Sequence, residues 1–558
     1  MNRSTPISDR ILQATEAVIL LIAALFLALH ALHLSADFPN HSPWMDWAKY
    51  TDEGWYGDGA IRYFQRGHWH VPGDFNPAAA LPVWPLLEAA LFRFTGVSLA
   101  AARALTVAIF AGILVASYLL LHRWQRLSGN DRRTVSTLAP AVAVLLLAVS
   151  PFCYVFTRMA IIEPLLILLT LLALLAASYA KPSEPGATPL QTRIRQALPL
   201  LALGLLLPLM VLTKTTALFV FPAIAWLLWA RVEYRLSSFL RITLPVAVIA
   251  VVTWFSYYVF LVRPRFLSDY RYLFSANGYT GMTPSTVFSV LADTIADGLW
   301  MGKVLYPLAL VVAVSVFLFR PRLLRNPLIP ALLLWAAGYA GFLAYHNNLQ
   351  PRYYLVIAVP LTLLVPVVFS NLWSSNREGR AIGQLALHRL AVTSIVTAIT
   401  VLTITDARQT LHYVSTPDYT FTSAAAQIHQ IISADATHNP LILSISGSNL
   451  SLMTGLPSIC DDFGTMDLAV RVQAYRPGWY IAWNQVEDDK MDALAPMYHL
   501  QRVAAFPALD DPERNLLILY RLDPATPAPP PAPHRKSLIP RLLRASFGRQ
   551  PSQTRLEP

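Results

Sequence analysis

LAPAVAVLLLAVSPFCYVFTRMAIIEPLLILLTLLALLAASYA, residues 138–180, decides the fold. It contains two apolar runs, 138–157 and 161–180. Each falls in the range of about 17–25 residues that carries an α-helix across a hydrocarbon core. Neither run has a polar stripe, so neither suits a helix with one wet face. Arg158 and Glu163 flank the only break between them. The stretch therefore predicts two antiparallel membrane helices joined by a tight, charged turn.

Working outward, similar runs recur at 17–36, 103–121, 197–213, 215–230, 242–262, 304–319, 328–345, 353–370 and 390–405, for about eleven spans in all. The first run lacks a small-x-small cleavage site before a polar start, so it reads as a retained helix rather than a signal peptide. Composition agrees. Of 558 residues, 55% are hydrophobic and only 13% charged, with mean hydropathy +0.46. Soluble domains carry about 25% charged residues. An ordinary soluble enzyme, a disordered chain and a coiled coil are excluded. The two cysteines, Cys153 in an apolar run and Cys460 in a distant polar one, argue against a disulfide framework and a cysteine metal site.

The net charge of +11 follows the spans and not a nucleic-acid face. With the N-terminus inside, basic residues cluster at Arg3 and Arg10, Arg123 to Arg133, Lys181 to Arg195, Arg231 to Arg241, Arg320 to Arg325 and Arg377 to Arg389. The opposite turns hold single cations: Arg158, Lys214 and Arg352. That bias predicts a cytoplasmic N-terminus and, with an odd number of spans, an extracytoplasmic C-terminal region. Residues 76–96 are also apolar. Pro77, Pro82, Pro85, Glu88 and Arg93 favour a helix lying on the outer surface over a further span.

This reading divides the chain into a transmembrane module (1–405), a small C-terminal α/β domain outside the membrane (406–524) and a basic proline-rich tail (525–558). Residues 37–102 and 263–303 form two outer loops. In the C-terminal region, 422–434 reads as a helix, and 440–446, 479–484 and 515–522 as strands. The fold class is mainly α, polytopic in the membrane, with that added α/β domain.

The candidates for chemistry converge on the outer side. The first loop, WMDWAKYTDEGWYGDGAIRYFQRGHWHVPGDFNP, contains the adjacent carboxylates Asp52 and Glu53, then Asp58 and Asp74. A carboxylate at a membrane surface can act as a general base, because low dielectric and neighbouring cations tune it. The bland alternative is a solvated loop acid. Ionisable residues at membrane depth are rare, so Arg158 and Glu163 stand out, either as a site or as a snorkelling pair. Lys214, in VLTKTTALF, would face an anionic group such as a lipid phosphate, or simply anchor the interface. Arg352 and Tyr353, in QPRYYLVIAVP, make a phosphate clamp or part of an aromatic belt. His41, His68, His70 and His346 share this side. HWH at 68–70 suits a divalent metal if it is extended, and a packed loop otherwise. The residues assign no cofactor and leave a divalent metal open as an alternative. No phosphate-binding GxxxxGK[ST], HExxH or CaaX motif is present.

Taken in order, these motifs resemble the GT-C superfamily of integral-membrane glycosyltransferases. The closest likeness is to bacterial members of the protein O-mannosyltransferase family, which includes the lipid A aminoarabinose transferase. The matching segments are DEGWYGDGAIRYF, TRMAIIEP, LTKTT and QPRYYLVIAVP, within residues 10–370. NPAAALP replaces the family's usual proline pair, and Glu163 stands where many members carry Asp. The resemblance implies inverting transfer of a sugar from a polyprenyl-phosphate donor to a protein, glycolipid or polysaccharide acceptor outside the membrane. It implies Asp52 as base positioned with Glu53, and Lys214, Arg352, Arg158 and Tyr353 around the leaving phosphate. Glu163 and Asp58 would support them, with no metal assigned and no nucleic-acid partner. A flippase that moves the same lipid without chemistry would use the same cations. A scaffold that binds a partner through the terminal domain would use none.

Overall fold

The computed structural model describes residues 6–74, 76–127, 135–180, 190–276, 283–345, 350–374 and 382–525. His346, the basic residues Arg132, Arg133, Lys181, Arg377 and Arg380, and the tail beyond 525 lie outside the described residues.

Apolar runs become helices because helical backbone satisfies its own polar groups. The chain opens with α1 (Pro6–His30), two shorter helices, α2 (Asp52–Arg66) and α3 (Val83–Thr95), and the long α4 (Leu99–Leu127). The expected span 138–157 is broken into α5 (Ala139–Val149) and α6 (Pro151–Phe156). Ser150 causes the break by capping α6 through the Cys153 amide (3.2 Å), with Pro151 as the first helical residue. α7 (Glu163–Tyr179), α8 (Leu190–Thr213) and α9 (Phe221–Arg231) follow. α10 (Leu236–Tyr257) runs through a π-helical turn into the short α11 (Arg263–Arg265). Then come α12 (Leu267–Ala276), α13 (Val287–Asp297), α14 (Leu305–Phe319), α15 (Leu328–Tyr345), α16 (Leu355–Ser374) and α17 (Ile382–Ser415).

Among the described residues, five helical segments are long and apolar enough to cross a membrane: Asp9–His30, Leu99–Leu127, Leu236–Arg265, Leu328–Tyr345 and Pro351–Trp373. Five more apolar helices are shorter, including Glu163–Tyr179 and Leu305–Phe319. The eleventh expected span, 390–405, is part of α17, which belongs to neither set. By length and composition these helices make the chain an integral membrane protein, and among the described residues they do not confirm eleven spans. α7 sits at the centre, packed by α4, α8, α9 and α16, with Leu166, Ile167, Leu171 and Leu174 fully buried.

The C-terminal unit contains α18 (Thr420–Ala434), β1 (Ile442–Leu443), α19 (Gly447–Thr454), β2 (Ser458–Ile459), α20 (Leu468–Tyr475), β3 (Trp479–Trp483), α21 (Asp488–Leu494), β4 (Tyr498–Asp511) and β5 (Arg514–Pro524). The sheet order is β2-β1-β3-β5-β4. β1, β2 and β3 are parallel, and β5 pairs antiparallel with β3 and β4. Both faces are covered. Trp479, Ile481 and Trp483 pack with Phe421 of α18 and Leu450 of α19. Tyr480 and Ala482 pack with Val472 of α20 and Leu494 of α21.

This unit is fastened to α2 and the segments beside it. The Gly54 amide donates to Asn449 Oδ1 (2.5 Å), and a Cβ at Gly54 would lie 2.1 Å from the Ser448 carbonyl carbon. Only a glycine lets α2 and α19 approach so closely. Ser448 Oγ donates to Asp58 Oδ1 (2.9 Å). Asp74, fully buried, is bound by Arg62 of α2 and by Arg471 of α20 (2.9 Å). Asp37 accepts from the Phe421 (2.8 Å) and Thr422 (3.1 Å) amides, capping α18 from a distant part of the chain. On its other side α2 lies on α3, where a Cβ at Gly57 would meet the Glu88 carboxylate at 2.0 Å. The surface helix expected within 76–96 appears as α3, but Glu88 is turned inward and fully buried.

Candidate functional site

The first loop is helical at the candidate carboxylates. Asp52 and Glu53 are the first two residues of α2, where the helix dipole favours carboxylates. Successive helical residues point about 100° apart, and the two acids diverge accordingly.

Asp52 faces a cavity of about 400 Å³ between the helical bundle and the C-terminal unit. Lys214, Arg352 and Tyr353 line it with Asp52, and Ile445, Asp462 and Phe463 close it from the sheet side. Lys214 stands between α8 and a 3-10 turn, Thr215–Val220. Arg352 and Tyr353 belong to the turn Pro351–Tyr354 that opens α16. Both cations flank one ring. Lys214 Nζ lies 4.1 Å and Arg352 Cζ 4.7 Å from the Tyr353 centroid.

Each cation has a resident counter-ion. Lys214 pairs with Glu163 Oε1, and Glu163 Oε2 is buried without a hydrogen-bond partner among the described residues. Arg352 Nη1 pairs with Asp46, whose Oδ2 also accepts the Arg352 amide (2.9 Å). Arg352 Nη2 reaches Asp52 Oδ2 (2.6 Å) and the Tyr353 hydroxyl (3.2 Å). The side chains of Asp46 and Glu163 are 0% exposed and that of Asp52 is 13% exposed. Of these three acids, Asp52 is the one that reaches the cavity.

Glu53 points elsewhere. It grips Arg103 of α4 with both oxygens (2.7 Å to Nε, 2.5 Å to Nη2) and accepts the Ala160 amide (2.8 Å). Arg103 Nη1 also donates to the Leu34 (2.9 Å) and Ala36 carbonyls. Arg158 does not line the cavity. It donates to the carbonyls of His30 (3.1 Å), Leu32 (2.7 Å) and His33 (2.6 Å) and so closes the C-terminus of α1. Asp58 pairs with Arg62 (2.9 Å) at the seam with α19, and burial pushes its carboxyl up to about 6, with Arg62 opposing.

The histidines do not converge. His68 is exposed, His70 lies 3.5 Å from Asp269, and His41 packs at a tilt against the rings of His412 and Tyr413. Among the described residues no three His, Cys, Asp or Glu side chains are grouped to hold a metal.

Sequence reasoning passed over Asp46, although a lone acid among Trp44, Met45 and Trp47 is a signal: a buried carboxylate needs a cation. It also missed the cavity wall supplied by the C-terminal unit. Ile445, Asp462 and Phe463 sit in connections after short strands, with no motif of their own.

No family model matches the chain, and a search of curated proteins finds no match. Among solved structures the chain is similar to ArnT from Cupriavidus metallidurans bound to undecaprenyl phosphate. The TM-score is 0.53 at 14% identity, over 90% of this chain and 98% of that one. The apo structure of ArnT gives 0.51 at 14% identity, over 91% and 98%. The Archaeoglobus fulgidus oligosaccharyltransferase is a weaker likeness, with a TM-score of 0.48 at 12% identity over 91% and 76%. The chain thus shares the fold of ArnT, over nearly the whole length of both chains.

Proposed function

We propose that the protein transfers a sugar from a polyprenyl-phosphate donor to an acceptor, with inversion at the sugar carbon. Asp52 acts as general base on the acceptor hydroxyl or phosphate. Lys214 and Arg352, aligned by Tyr353, take the charge that develops on the departing lipid phosphate. Cations preorganised where charge develops, in a site screened from water, supply a large share of catalysis. The observation that carries this reading is the cavity itself, with one partly exposed carboxylate facing two buried cations, in a fold shared with a protein that binds undecaprenyl phosphate. Glu163 and Asp46 hold the cations in place. Glu53, Asp58 and Arg158 support the scaffold that presents them. The acceptor belongs to the class of proteins, glycolipids or polysaccharides. The N-terminus lies in the cytoplasm, and the cavity and C-terminal unit lie on the opposite side, as the Lys and Arg bias supports.

The test uses purified protein in detergent, polyprenyl-phosphate sugars carrying a labelled sugar, and an envelope fraction as acceptor. Wild type transfers label. Asp52→Asn, folded equally well, loses about 10²- to 10⁴-fold, the usual contribution of a general base. Equal transfer by both proteins would remove Asp52 from the chemistry. Failure of every donor, with lipid-linked sugar crossing proteoliposome bilayers, would replace the transferase with a flippase.

A further inference from the structure

The C-terminal unit contains a second cavity, of about 420 Å³, that the chemistry above does not use. Its position follows from topology. β1 lies between β2 and β3, and the three are parallel. The chain leaves β1 for β2 through α19 on one face of the sheet, then crosses to β3 through α20 on the other. Connections that diverge to opposite faces open a crevice at the carboxyl ends of the strands, where open α/β sheets bind ligands. The cavity is lined there by Ile445 after β1, Asp461 after β2, and Asn484 and Gln485 after β3. Its size is within the range of about 300–1,000 Å³ usual for small-molecule sites.

Two details point to a ligand. Asp461 is 5% exposed, and its Oδ2 accepts from the Tyr480 hydroxyl (3.2 Å), but its Oδ1 is buried without a hydrogen-bond partner among the described residues. Lys490 does not serve it, being held by Asp462 (2.6 Å) and Asp489 (2.7 Å). A buried carboxylate oxygen in a polar cavity calls for a donor. Asn484, at the rim, has a left-handed backbone (φ 57°), and its Oδ1 fixes the Asn515 (3.2 Å) and Leu516 (2.9 Å) amides. The rim is therefore shaped before any ligand arrives.

The wall mixes carboxylates, two amides and cations, so it offers both donors and acceptors. A hydroxyl both donates and accepts, and a sugar ring presents several. A phosphate would face the carboxylates of Asp461, Glu487 and Glu513. An apolar ligand would leave all of these groups unpaired. The two cavities are neighbours. Ile445 lines both, and Arg514 of the second lies over the ring of Trp47 in the first, 3.9 Å from its centroid.

We propose that this second cavity is a sugar subsite for the acceptor, in which Asp461 Oδ1 accepts a hydrogen bond from a ring hydroxyl and so presents the acceptor to the donor cavity next door. The proposal rests on the transferase reading.

The test reads binding. Full-length protein in detergent is titrated with methyl mannoside, methyl glucoside and methyl N-acetylglucosaminide, observed by saturation-transfer NMR. Wild type binds at least one. Asp461→Asn, which keeps an oxygen for Tyr480, weakens it about tenfold or more, and Gln485→Ala, at an exposed rim position, about threefold. Adding undecaprenyl phosphate, or the same lipid carrying a sugar, leaves the glycoside in place. No glycoside signal in wild type, signals unchanged in both variants, or displacement by the sugar-bearing lipid alone would overturn the proposal, the last by giving the cavity to the donor's own sugar. The two readings fail separately. Asp461-dependent binding in a protein that transfers nothing would sink the transferase and leave a sugar subsite. Normal transfer with the same acceptor dependence in Asp461→Asn would do the reverse.

Discussion

Replacing Glu53 separates a structural acid from a chemical one. In the folded protein Glu53 is 1% exposed and supplies three hydrogen bonds, two to Arg103 and one to the Ala160 amide. Glu53→Ala leaves the Arg103 guanidinium buried against the Leu34 and Ala36 carbonyls, without the carboxylate that grips it. Breaking a buried pair by removing one partner costs about 3–5 kcal/mol. The stranded Ala160 amide accounts for about 1–3 kcal/mol of such a loss. Glu53→Gln keeps an oxygen for Ala160 and should cost about 1.5–3 kcal/mol, the worth of a hydrogen bond to a charged group. Glu53→Gln with Arg103→Met removes both charges and should recover much of the loss, since neutral pairs of similar volume often replace buried ion pairs without cost. The assay is denaturant or thermal unfolding in one detergent, with transfer measured on the folded fraction. Two results would refute this reasoning: Glu53→Ala as stable as wild type yet unable to transfer, or a double variant worse than the sum of its parts.

Three further outcomes follow from the same geometry. Gly54→Ala forces α2 from α19 at a 2.1 Å backbone contact and should cost about 1–3 kcal/mol or more; limited proteolysis near residues 416–419 should then release the C-terminal unit faster than in wild type. Arg158→Lys cannot reach the three carbonyls at and just beyond the end of α1 as a fork, so it should lower the melting temperature while the donor KM stays within about twofold; a raised donor KM at full stability would return Arg158 to the phosphate site. Burial pushes the Asp461 carboxyl up to about 7, with Asp462 adding to the push and Lys490 opposing. The folded state therefore holds that proton more tightly than the unfolded chain, whose Asp titrates near 3.9. Stability from this group is complete below about pH 4 and is lost as pH rises through about 7. Melting curves across that window should slope downward with pH in wild type and flatten in Asp461→Asn; parallel slopes would exclude Asp461 as their source.

The membrane helices were legible because hydropathy needs no tertiary information: α7 and α16 are apolar on every face wherever they pack. Helix α2 was not. Gly54, Gly57 and Gly59 each disfavour helix by about 1 kcal/mol, so the segment reads as a loop. Its helicity comes from burial between α3 and α19, where two of those glycines admit a backbone and a carboxylate. Reading it as a loop made Asp52 and Glu53 a pair, whereas the helix sends one to the cavity and the other to Arg103. β4 was missed for a different reason. It is an edge strand with an irregular mix of buried and exposed positions, Pro507 and two register shifts, so no apolar alternation marks it.

The charge balance around Lys214 and Arg352 says why Asp52, among the acids that pair with them, is suited to change partners. Asp46, Asp52 and Glu163 face Lys214 and Arg352, three carboxylates against two cations. A donor phosphate adds another negative charge to a buried site, which is unfavourable unless a cation is released to meet it. Glu163 and Asp46 cannot yield, because both are wholly buried and Asp46 is also tied to the Arg352 backbone amide. Asp52 holds only Arg352 Nη2, from the exposed side, with Thr51 Oγ1 bonded to its other oxygen (2.7 Å). On the proposed reading, a phosphate oxygen takes Nη2 from Asp52, and the carboxylate it displaces is then unpaired beside the acceptor. Donor binding and activation of the base become one exchange at one nitrogen. Asp46→Asn should therefore be more damaging to donor affinity than Asp52→Asn, since it loosens the guanidinium that makes the exchange. Isothermal titration with undecaprenyl phosphate would show it, and the opposite order would mean that Asp52 and not Asp46 fixes Arg352.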